Sequence, residues 1–222
     1  PAAAFQCNAV PVIADVDPDT WTISVEDIKR KITPRTKAII PVAISGLMAD
    51  MEPIMELATQ HNLTVIEDNA QCYLGYYKEH VAGSIGHFAS FSFQASKTMT
   101  CGDGGILICS DPELALNARK AATLGFAGLS SSPGDVVVNE QDRCQPTYLR
   151  HDTMGWNQRL PEIALAELER IEELAEMRTL SAMAFDAVVQ DCDWIRPQHT
   201  PQGYINAYWN YACVLERDDV NW

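Results

Sequence analysis

The sequence predicts an α/β fold, a three-layer α/β/α arrangement in which helices cover both faces of a mostly parallel β-sheet. Two observations lead to this prediction. Short apolar runs that are typical of buried strands alternate with segments that show helical spacing. The composition, 47% hydrophobic and 21% charged residues in a chain of 222, is that of an ordinary globular protein with a sizeable core. Alternation of this kind favours βαβ units and hence a parallel sheet.

The first elements follow one another in that order. Residues 10–16 form an apolar run that ends at an Asp-Pro-Asp turn, which predicts a strand. Ser24 is followed three residues later by Asp27, a pattern that resembles a capping box and predicts the start of a helix. Residues 38–42 are apolar again and predict the second strand.

The middle of the chain continues the alternation. Residues 51–61 have apolar side chains at helical spacing. Residues 64–66 predict a third strand, which delivers the acidic pair 67–68 at its carboxyl end. Residues 88–93 and 106–109 predict two more strands.

The last third of the chain is less regular. An Asp-Pro pair at 111–112 predicts a helix to about residue 122, because proline favours the first helical turn. Residues 125–151 are rich in Ser, Gly, Pro and Asp, and loops of this length are usually functional or mobile. Residues 160–189 predict one long amphipathic helix or a broken pair, and residues 208–215 predict a strand.

The net charge and the cysteines limit the classes of protein to which this chain can belong. The chain has 30 acidic and 16 basic residues, a formal net charge of -14, which argues against binding to nucleic acid or to anionic membranes. Its seven cysteines form no CxxC pair, which favours free thiols in a reducing compartment, and we expect a cytoplasmic protein. There is no apolar stretch of about twenty residues and no visible signal peptide. Because the chain opens on Pro1 without Met, we expect an internal piece of a longer protein.

Lys97 is the first candidate for chemistry. It follows the apolar-aromatic run 88–93 and precedes a segment of small residues and glycines that permits close approach of a ligand. A lysine in a partly desolvated site can form a Schiff base with a carbonyl compound. On composition alone, the alternative is an ordinary lysine in a surface loop.

Asp68 and Ser92 are the next candidates, because each lies at or near the carboxyl end of a predicted strand, where ligands bind in parallel sheets. The carboxylate of Asp68 could face a cation such as a pyridinium nitrogen. The hydroxyl of Ser92 could donate a hydrogen bond to a phosphate. Each residue taken alone could equally be structural. The five histidines have no ligand-like spacing, so we expect no metal site.

Several motifs of this chain, taken together in their order and spacing, are highly specific for one family of enzymes. The set resembles the DegT/StrS family of sugar aminotransferases, and its main motifs are Glu67-Asp68-x-Ala70-Gln71, Gly83-Ser84-x-Gly86, Phe91-Ser92-Phe93 with Lys97, and Gly102-Asp103-Gly104-Gly105. The resemblance covers about residues 5 to 180 and includes the segment Gly155-Trp156-Asn157-Gln158-Arg159.

The resemblance implies a fold-type I enzyme that uses pyridoxal 5′-phosphate. Residues 1–180 would be the cofactor-binding large domain with its N-terminal part missing. Residues 181–222 would begin a smaller, truncated C-terminal α+β domain. The family's N-terminal phosphate loop and its ring-stacking aromatic residue have no counterpart in this chain.

Roles for individual residues also follow from the resemblance. Lys97 would hold the cofactor as a Schiff base and later move the proton. Asp68 would pair with the pyridinium nitrogen, Gln71 would lie against the ring near its hydroxyl, and Ser92 would hydrogen-bond the phosphate. Asn157 would reach the phosphate of the neighbouring subunit's cofactor, since family active sites are shared across a homodimer.

Arg159 is a further candidate for contact with the substrate, with a structural ion pair as the alternative. Family dehydratases carry His where this chain has Lys97, so the lysine favours transamination. We expect transfer of an amino group from an amino acid, glutamate being the family's usual donor, to a nucleotide-linked keto sugar in amino-sugar or cell-surface polysaccharide biosynthesis. Alternatives are a dehydratase, an aminotransferase acting on free keto sugars, and a regulatory protein without turnover.

Overall fold

The computed structural model describes residues 1–131, 140–158, 160, 163–217 and 219. The α-helices of this part of the chain are α1 (Ala2–Gln6), α2 (Val25–Lys31), α3 (Met51–His61), α4 (Pro112–Ala122), α5 (Glu140–Arg143), α6 (Ile163–Leu168) and α7 (Ile171–Val189), and a short 3-10 helix spans Ile44–Gly46. The strands are β1 (Ala38–Ile39), β2 (Thr64–Asp68), β3 (Tyr76–Tyr77), β4 (His80–Val81), β5 (Phe88–Ser92), β6 (Gly105–Ile108), β7 (Ile195–Pro197), β8 (Tyr204–Ile205) and β9 (Cys213–Leu215).

The main sheet contains four strands in the order β1-β2-β5-β6. The β1–β2 and β2–β5 pairs are parallel, and the β5–β6 pair is antiparallel. The predicted α/β class with a mostly parallel sheet is therefore confirmed. Two smaller sheets, in the orders β4-β3-β8 and β7-β9, complete the strand pairing of the described residues.

Helical cover of the main sheet is uneven. Helix α3 packs on β1 and β2 and also contacts α2. Buried side chains in this region include Ile39, Ile54, Leu57 and Val65. Strand β6, in contrast, is exposed along its whole length, and within the described residues its only strand partner is β5. The larger hydrophobic cluster therefore lies under α2 and α3, at the β1–β2 end of the sheet, and a smaller one is formed by Tyr73, Phe93 and Met99.

Helix α2 begins as the capping pattern predicts. The Ser24 hydroxyl accepts a hydrogen bond from the backbone N–H of Asp27 at 3.3 Å. The buried carboxylate of Asp27 in turn accepts from the Asp15 N–H at 2.6 Å and forms ion pairs with Arg30 and Lys31, each at 2.7 Å. The hydrogen bond from Asp15 ties the helix to the segment that precedes it, and the two ion pairs lie within the helix.

The strand predicted over residues 10–16 was wrong. Val10 is 83% exposed and Ile13 is 67% exposed, and only Val16 forms an isolated antiparallel bridge, with Ile23. An apolar run becomes a strand only where a neighbour accepts its backbone hydrogen bonds. No strand lies beside this run within the described residues, and Pro11 lacks an N–H.

The later elements agree with the predictions only in part. The helical pattern over 160–189 is a broken pair, α6 and α7. The strand predicted over 208–215 was too long, because only β9 is extended and Tyr208 has a φ of 47°. In the irregular segment 125–151, the short helix α5 lies beyond residues 132–139, which are outside the described part. Among the described helices, none has the length and apolarity needed to cross a membrane.

Candidate active site

Strand β2 ends in two adjacent carboxylates that face opposite sides of the sheet. Successive side chains of a strand alternate between its faces. Accordingly, Glu67 is 1% exposed whereas Asp68 is only half-buried. The backbone of Asp68 is fixed by hydrogen bonds to the Pro41 carbonyl and from the Ala43 N–H, both at 2.9 Å. Its side chain is therefore held at the carboxyl edge of the sheet.

The carboxylate of Asp68 keeps one oxygen available. Its Oδ1 accepts a hydrogen bond from the Ala70 N–H at 3.1 Å. Its Oδ2 has no hydrogen-bond partner within the described part of the chain. A partly exposed carboxylate oxygen at this edge can accept from, and stabilise, a protonated ring nitrogen.

The carboxylate of Glu67 has a different role, which sequence reasoning missed. Its Oε1 accepts from the N–H groups of Ile85 and Gly86 at 2.9 and 2.6 Å, and its Oε2 accepts from the N–H of Gly83 at 2.8 Å. This one side chain therefore holds the glycine-containing loop after β4. The acidic pair and the Gly83–Gly86 motif were both visible in the sequence, but their contact was not.

Ser92 lies on the same face of the sheet as Asp68. Asp68 is paired with Ser90 in the parallel ladder, and Ser92 is two residues further along β5. Because side chains alternate along a strand, the three point to one side. The Ser92 Oγ accepts a hydrogen bond from the Gln94 N–H at 3.4 Å, and the Tyr73 hydroxyl donates to the Ser92 carbonyl. These two hydrogen bonds hold the backbone and the hydroxyl of Ser92 in place at the end of β5.

Lys97 lies on a turn just after β5, as the sequence predicts. Its N–H donates to the Gln94 carbonyl at 2.9 Å, and the residue is half-buried. Its Nζ lies 4.8 Å from the centroid of the Trp209 ring. Within the described residues, no carboxylate forms an ion pair with this amine.

Gln71 reaches a turn that approaches the same edge. Its Oε1 accepts a hydrogen bond from the Ser45 N–H at 2.7 Å. Ser45 and Gly46 have φ values of 61° and 109°. A Cβ on Gly46 would lie 2.4 Å from the backbone nitrogen of Tyr208, so only glycine permits this close approach of two backbones.

Trp209 is a residue of this edge that the sequence did not reveal. Its backbone N–H donates to the Ser45 carbonyl and its indole Nε1–H donates to the Ser96 carbonyl, both at 2.9 Å. Its carbonyl accepts from Arg178 Nη1 at 2.8 Å. These partners are distant in sequence, and a tryptophan in an apparent strand gave no signal for them.

Two predicted site residues stand apart from this group. Asn157 is exposed and forms an isolated bridge with Thr123, and its role toward a neighbouring subunit stays a prediction. Arg159 lies outside the described residues, so its proposed contact with the substrate also stays a prediction.

The carboxylate of Asp68 and the hydroxyl of Ser92 therefore share one face at the carboxyl edge of β2 and β5. The amide of Gln71 and the amine of Lys97 are connected through Ser45 and Trp209, because Ser45 is hydrogen-bonded to both Gln71 and Trp209 and the Lys97 Nζ lies over the Trp209 ring. This donor set fits pyridoxal 5′-phosphate, whose ring nitrogen, phosphate and aldehyde match a carboxylate, a hydroxyl and an amine respectively. A groove of about 730 Å³ lies elsewhere, between α3 and the β3–β4 hairpin, and is lined by residues such as Met55, Tyr77 and Lys78. None of the predicted site residues lines that groove.

Comparison with known proteins places these features in context. The sequence model of the DegT/DnrJ/EryC1/StrS aminotransferase family matches residues 1–221. A curated relative from Micromonospora echinospora, L-glutamine:2-deoxy-scyllo-inosose aminotransferase, is 34% identical over 96% of the chain and 50% of its own length. GDP-perosamine synthase from Caulobacter vibrioides is 36% identical over 75% of the chain and 42% of its own length.

The fold is shared with solved structures as well. The X-ray structure of the aminotransferase from Psychrobacter cryohalolentis is similar with a TM-score of 0.85 and 29% sequence identity, over 99% of this chain and 57% of that one. The chain thus spans about half the length of the curated relatives and of the structure that it matches.

Proposed function

Because the chain belongs to the DegT/DnrJ/EryC1/StrS aminotransferase family, we propose that the intact protein is a pyridoxal-phosphate-dependent aminotransferase. It transfers the amino group of an amino acid to the ketone of a sugar or a related polyhydroxylated ring. The observation that carries this proposal is that the half-buried Asp68 ends strand β2 and Lys97 follows strand β5. Because these two strands are adjacent and parallel, both residues come from the same edge of the sheet.

The proposal assigns a task to each residue of this edge. Lys97 forms the covalent linkage to the cofactor, and Asp68 offers its Oδ2 to the ring nitrogen. Ser92 binds the phosphate, and Gln71, fixed by Ser45, lies against the ring. When bound, pyridoxal phosphate supplies an electron sink that stabilises the carbanion formed when the donor loses its α-proton.

Lys97 has a second task once the donor has displaced it. A base would then have to remove the proton from the donor's α-carbon and deliver a proton to the cofactor carbon on the other side of the shared nitrogen. The Nζ of Lys97, on a half-buried turn beside the Trp209 ring, is suited to this transfer because it has no competing carboxylate within the described residues. The presence of lysine here also favours transamination over dehydration.

Two pairs of amino donor and amino acceptor are proposed, in order of preference. Glutamate and a nucleotide-linked keto sugar are the first choice, and the relative named GDP-perosamine synthase supports a nucleotide-linked acceptor. A second choice is L-glutamine with a cyclic ketone that carries no nucleotide. The relative that aligns with 96% of the chain is named for that donor and for 2-deoxy-scyllo-inosose, which supports the second choice.

The experiment uses the intact protein with bound cofactor. Glutamate and glutamine are each added, and the loss of the absorbance band of the lysine–cofactor linkage reports the donor half-reaction. Each productive donor is then paired with a nucleotide-linked keto sugar and with a free cyclic ketone, and the amine product is identified by mass spectrometry. Water elimination without amine formation would support the dehydratase alternative, and no spectral change with any donor would support a regulatory protein.

Further proposals concern organisation and location. We propose that residues 1–180 belong to the cofactor domain, that residues 181–222 begin a second domain, and that two subunits share their sites through Asn157, whose exposed position is compatible with such a contact. All seven cysteines are free, which supports a reducing, cytoplasmic location.

A further inference from the structure

Trp209 contacts the turn that carries Lys97 in two ways. The indole Nε1–H donates to the carbonyl of Ser96, the residue immediately before Lys97, at 2.9 Å. The face of the same ring lies 4.8 Å from the Lys97 Nζ. We propose that Trp209 is a positioning residue that holds the Lys97 amine at the carboxyl edge of the sheet.

The tryptophan is itself held firmly enough for this role. Its backbone N–H donates to Ser45 at 2.9 Å, and its carbonyl accepts from Arg178, on helix α7, at 2.8 Å. Ser45 is also the residue that Gln71 fixes. The backbone of Trp209 is thus fixed to the turn of Ser45 and to helix α7. Its indole is fixed to the turn of Lys97 through Ser96, so the ring has little freedom relative to the sheet.

The ring also attracts the ammonium group of Lys97. An ammonium group within about 6 Å of an indole centroid is attracted by the negative face of the ring. Because no described carboxylate pairs with Lys97, the indole is the contact that localises its Nζ. An aromatic face localises a cation without fixing it as an ion pair would, which suits an amine that must later form a covalent linkage.

The direct test measures the accessibility of Lys97 in the intact protein after any cofactor has been removed with hydroxylamine. Trace acetylation followed by peptide mass spectrometry gives the ratio of labelling at Lys97 to labelling at Lys78. Lys78 is the internal reference because it is exposed and its Nζ lies 5.2 Å from the centroid of another aromatic ring, that of Tyr77. We expect Trp209→Leu to raise this ratio about 2- to 5-fold, the factor expected for loss of one cation–π contact. Trp209→Phe retains an aromatic face, so the increase is smaller.

A matched control separates this effect from general loosening. Trp194 also lies under a cation, with the Arg217 guanidinium 5.2 Å from its ring. Trp194→Leu therefore removes a comparable contact elsewhere, and the Lys97 ratio remains at the wild-type value. Circular dichroism and thermal melting check that each variant folds, and Trp209→Met replaces Trp209→Leu if the latter does not fold. An unchanged Lys97 ratio in a folded Leu or Met variant would overturn the proposal.

A second measurement rests on the proposed function. If Lys97 moves the donor's α-proton, its displacement slows that step, because small errors in the placement of a reacting group cost about 10²-fold in rate. The primary isotope effect with an α-deuterated donor then rises in Trp209→Leu and falls back toward the wild-type value in Trp209→Phe. An isotope effect equal to wild type in Trp209→Leu would contradict the positioning role. A wild-type protein that shows no donor half-reaction would refute the proposed function, while the labelling ratio would still decide the role of Trp209.

Discussion

Glu67 and Asp68 are neighbours in the sequence but lie on opposite faces of strand β2. The Glu67 carboxylate is buried against three backbone N–H groups, whereas the Asp68 carboxylate presents an oxygen without a described partner at the edge of the sheet. The strand pleat thus gives two identical functional groups different tasks: one holds a loop, and the other is available to a ligand.

Substitution of the buried Glu67 should lower the free energy of unfolding more than substitution of an exposed acidic residue does. In Glu67→Ala, the N–H groups of Gly83, Ile85 and Gly86 lose their acceptor, and each unsatisfied group costs about 1–3 kcal/mol, so we expect a loss of about 3 kcal/mol or more. Urea unfolding of the intact protein measures it. Glu56→Ala, which changes an exposed residue of α3, should stay within about 0.5 kcal/mol. Equal losses in the two variants would contradict this role.

Substitution of Asp68 should affect the reaction and not the cofactor linkage. In Asp68→Asn, the neutral amide cannot stabilise a protonated ring nitrogen, so the donor half-reaction should slow by on the order of 10²-fold. Stopped-flow absorbance with the amino donor measures the rate. The band of the lysine–cofactor linkage should remain, and Asp103→Asn, at an exposed position near the site, should react at the wild-type rate. An Asp68→Asn rate equal to that of wild type would remove Asp68 from the assigned site.

Substitution of Lys97 should remove the linkage itself. Lys97→Ala should lack the absorbance band of the lysine–cofactor linkage and should lose at least about 10³-fold in transamination rate, since both the nucleophile and the base are absent. Lys78→Ala removes an exposed lysine that pairs with Glu52 and should retain both the band and the rate. Persistence of the band in Lys97→Ala would mean that another amine holds the cofactor.

Two glycines separate the effect of backbone conformation from that of close approach. Gly46 and Gly102 have φ values of 109° and 91°, but a Cβ at Gly46 would lie 2.4 Å from the nitrogen of Tyr208, while a Cβ at Gly102 meets nothing within 4 Å. We expect Gly102→Ala to cost about 1 kcal/mol and Gly46→Ala about 3 kcal/mol or more, as measured by urea unfolding. Similar costs at the two positions would mean that the two backbones can separate easily.

The ionised carboxylate of Asp27 should make the folding stability decrease at acidic pH. Its contacts with Lys31, the Asp15 N–H and Arg30 lower the pKa of its carboxyl from 3.8 to about 2. A pKa that is lower in the folded state contributes stability above the unfolded value, and this contribution is lost as the pH falls from about 4 to 2. We expect Asp27→Asn to lower the melting temperature at pH 6, with the difference from wild type shrinking below pH 4. A difference that does not change with pH would contradict the ionic origin.

The sequence allowed prediction of the features that depend on local patterns. Helices α2 and α3 have caps or spacing that neighbouring residues determine, and both were found where predicted. Asp68 and Ser92 lie at the ends of β2 and β5, and parallel strands bring their carboxyl ends to one edge, whereas the roles of the two residues stay predictions. The family motif assigned roles to them that spacing alone left open.

The features that depend on distant contacts escaped prediction. Trp209 reaches Ser96 across 113 positions, and no periodicity encodes such a contact. The predicted strand at 10–16 was wrong because hydrophobicity indicates which residues can pair, but not whether a neighbouring strand exists. The strand at 208–215 was too long because the chain bends at Tyr208, where the backbone passes close to Gly46.

The exposed strand β6 has a practical consequence for work with these 222 residues by themselves. Its side chains Ile106 and Leu107 are 46% and 49% exposed, and within the described residues one edge of the strand is unpaired. Unpaired apolar edges recruit further strands and cause aggregation. Expressed alone, this chain should therefore precipitate or form soluble aggregates on concentration, and charged substitutions at Ile106 and Leu107 are the first remedy for its handling.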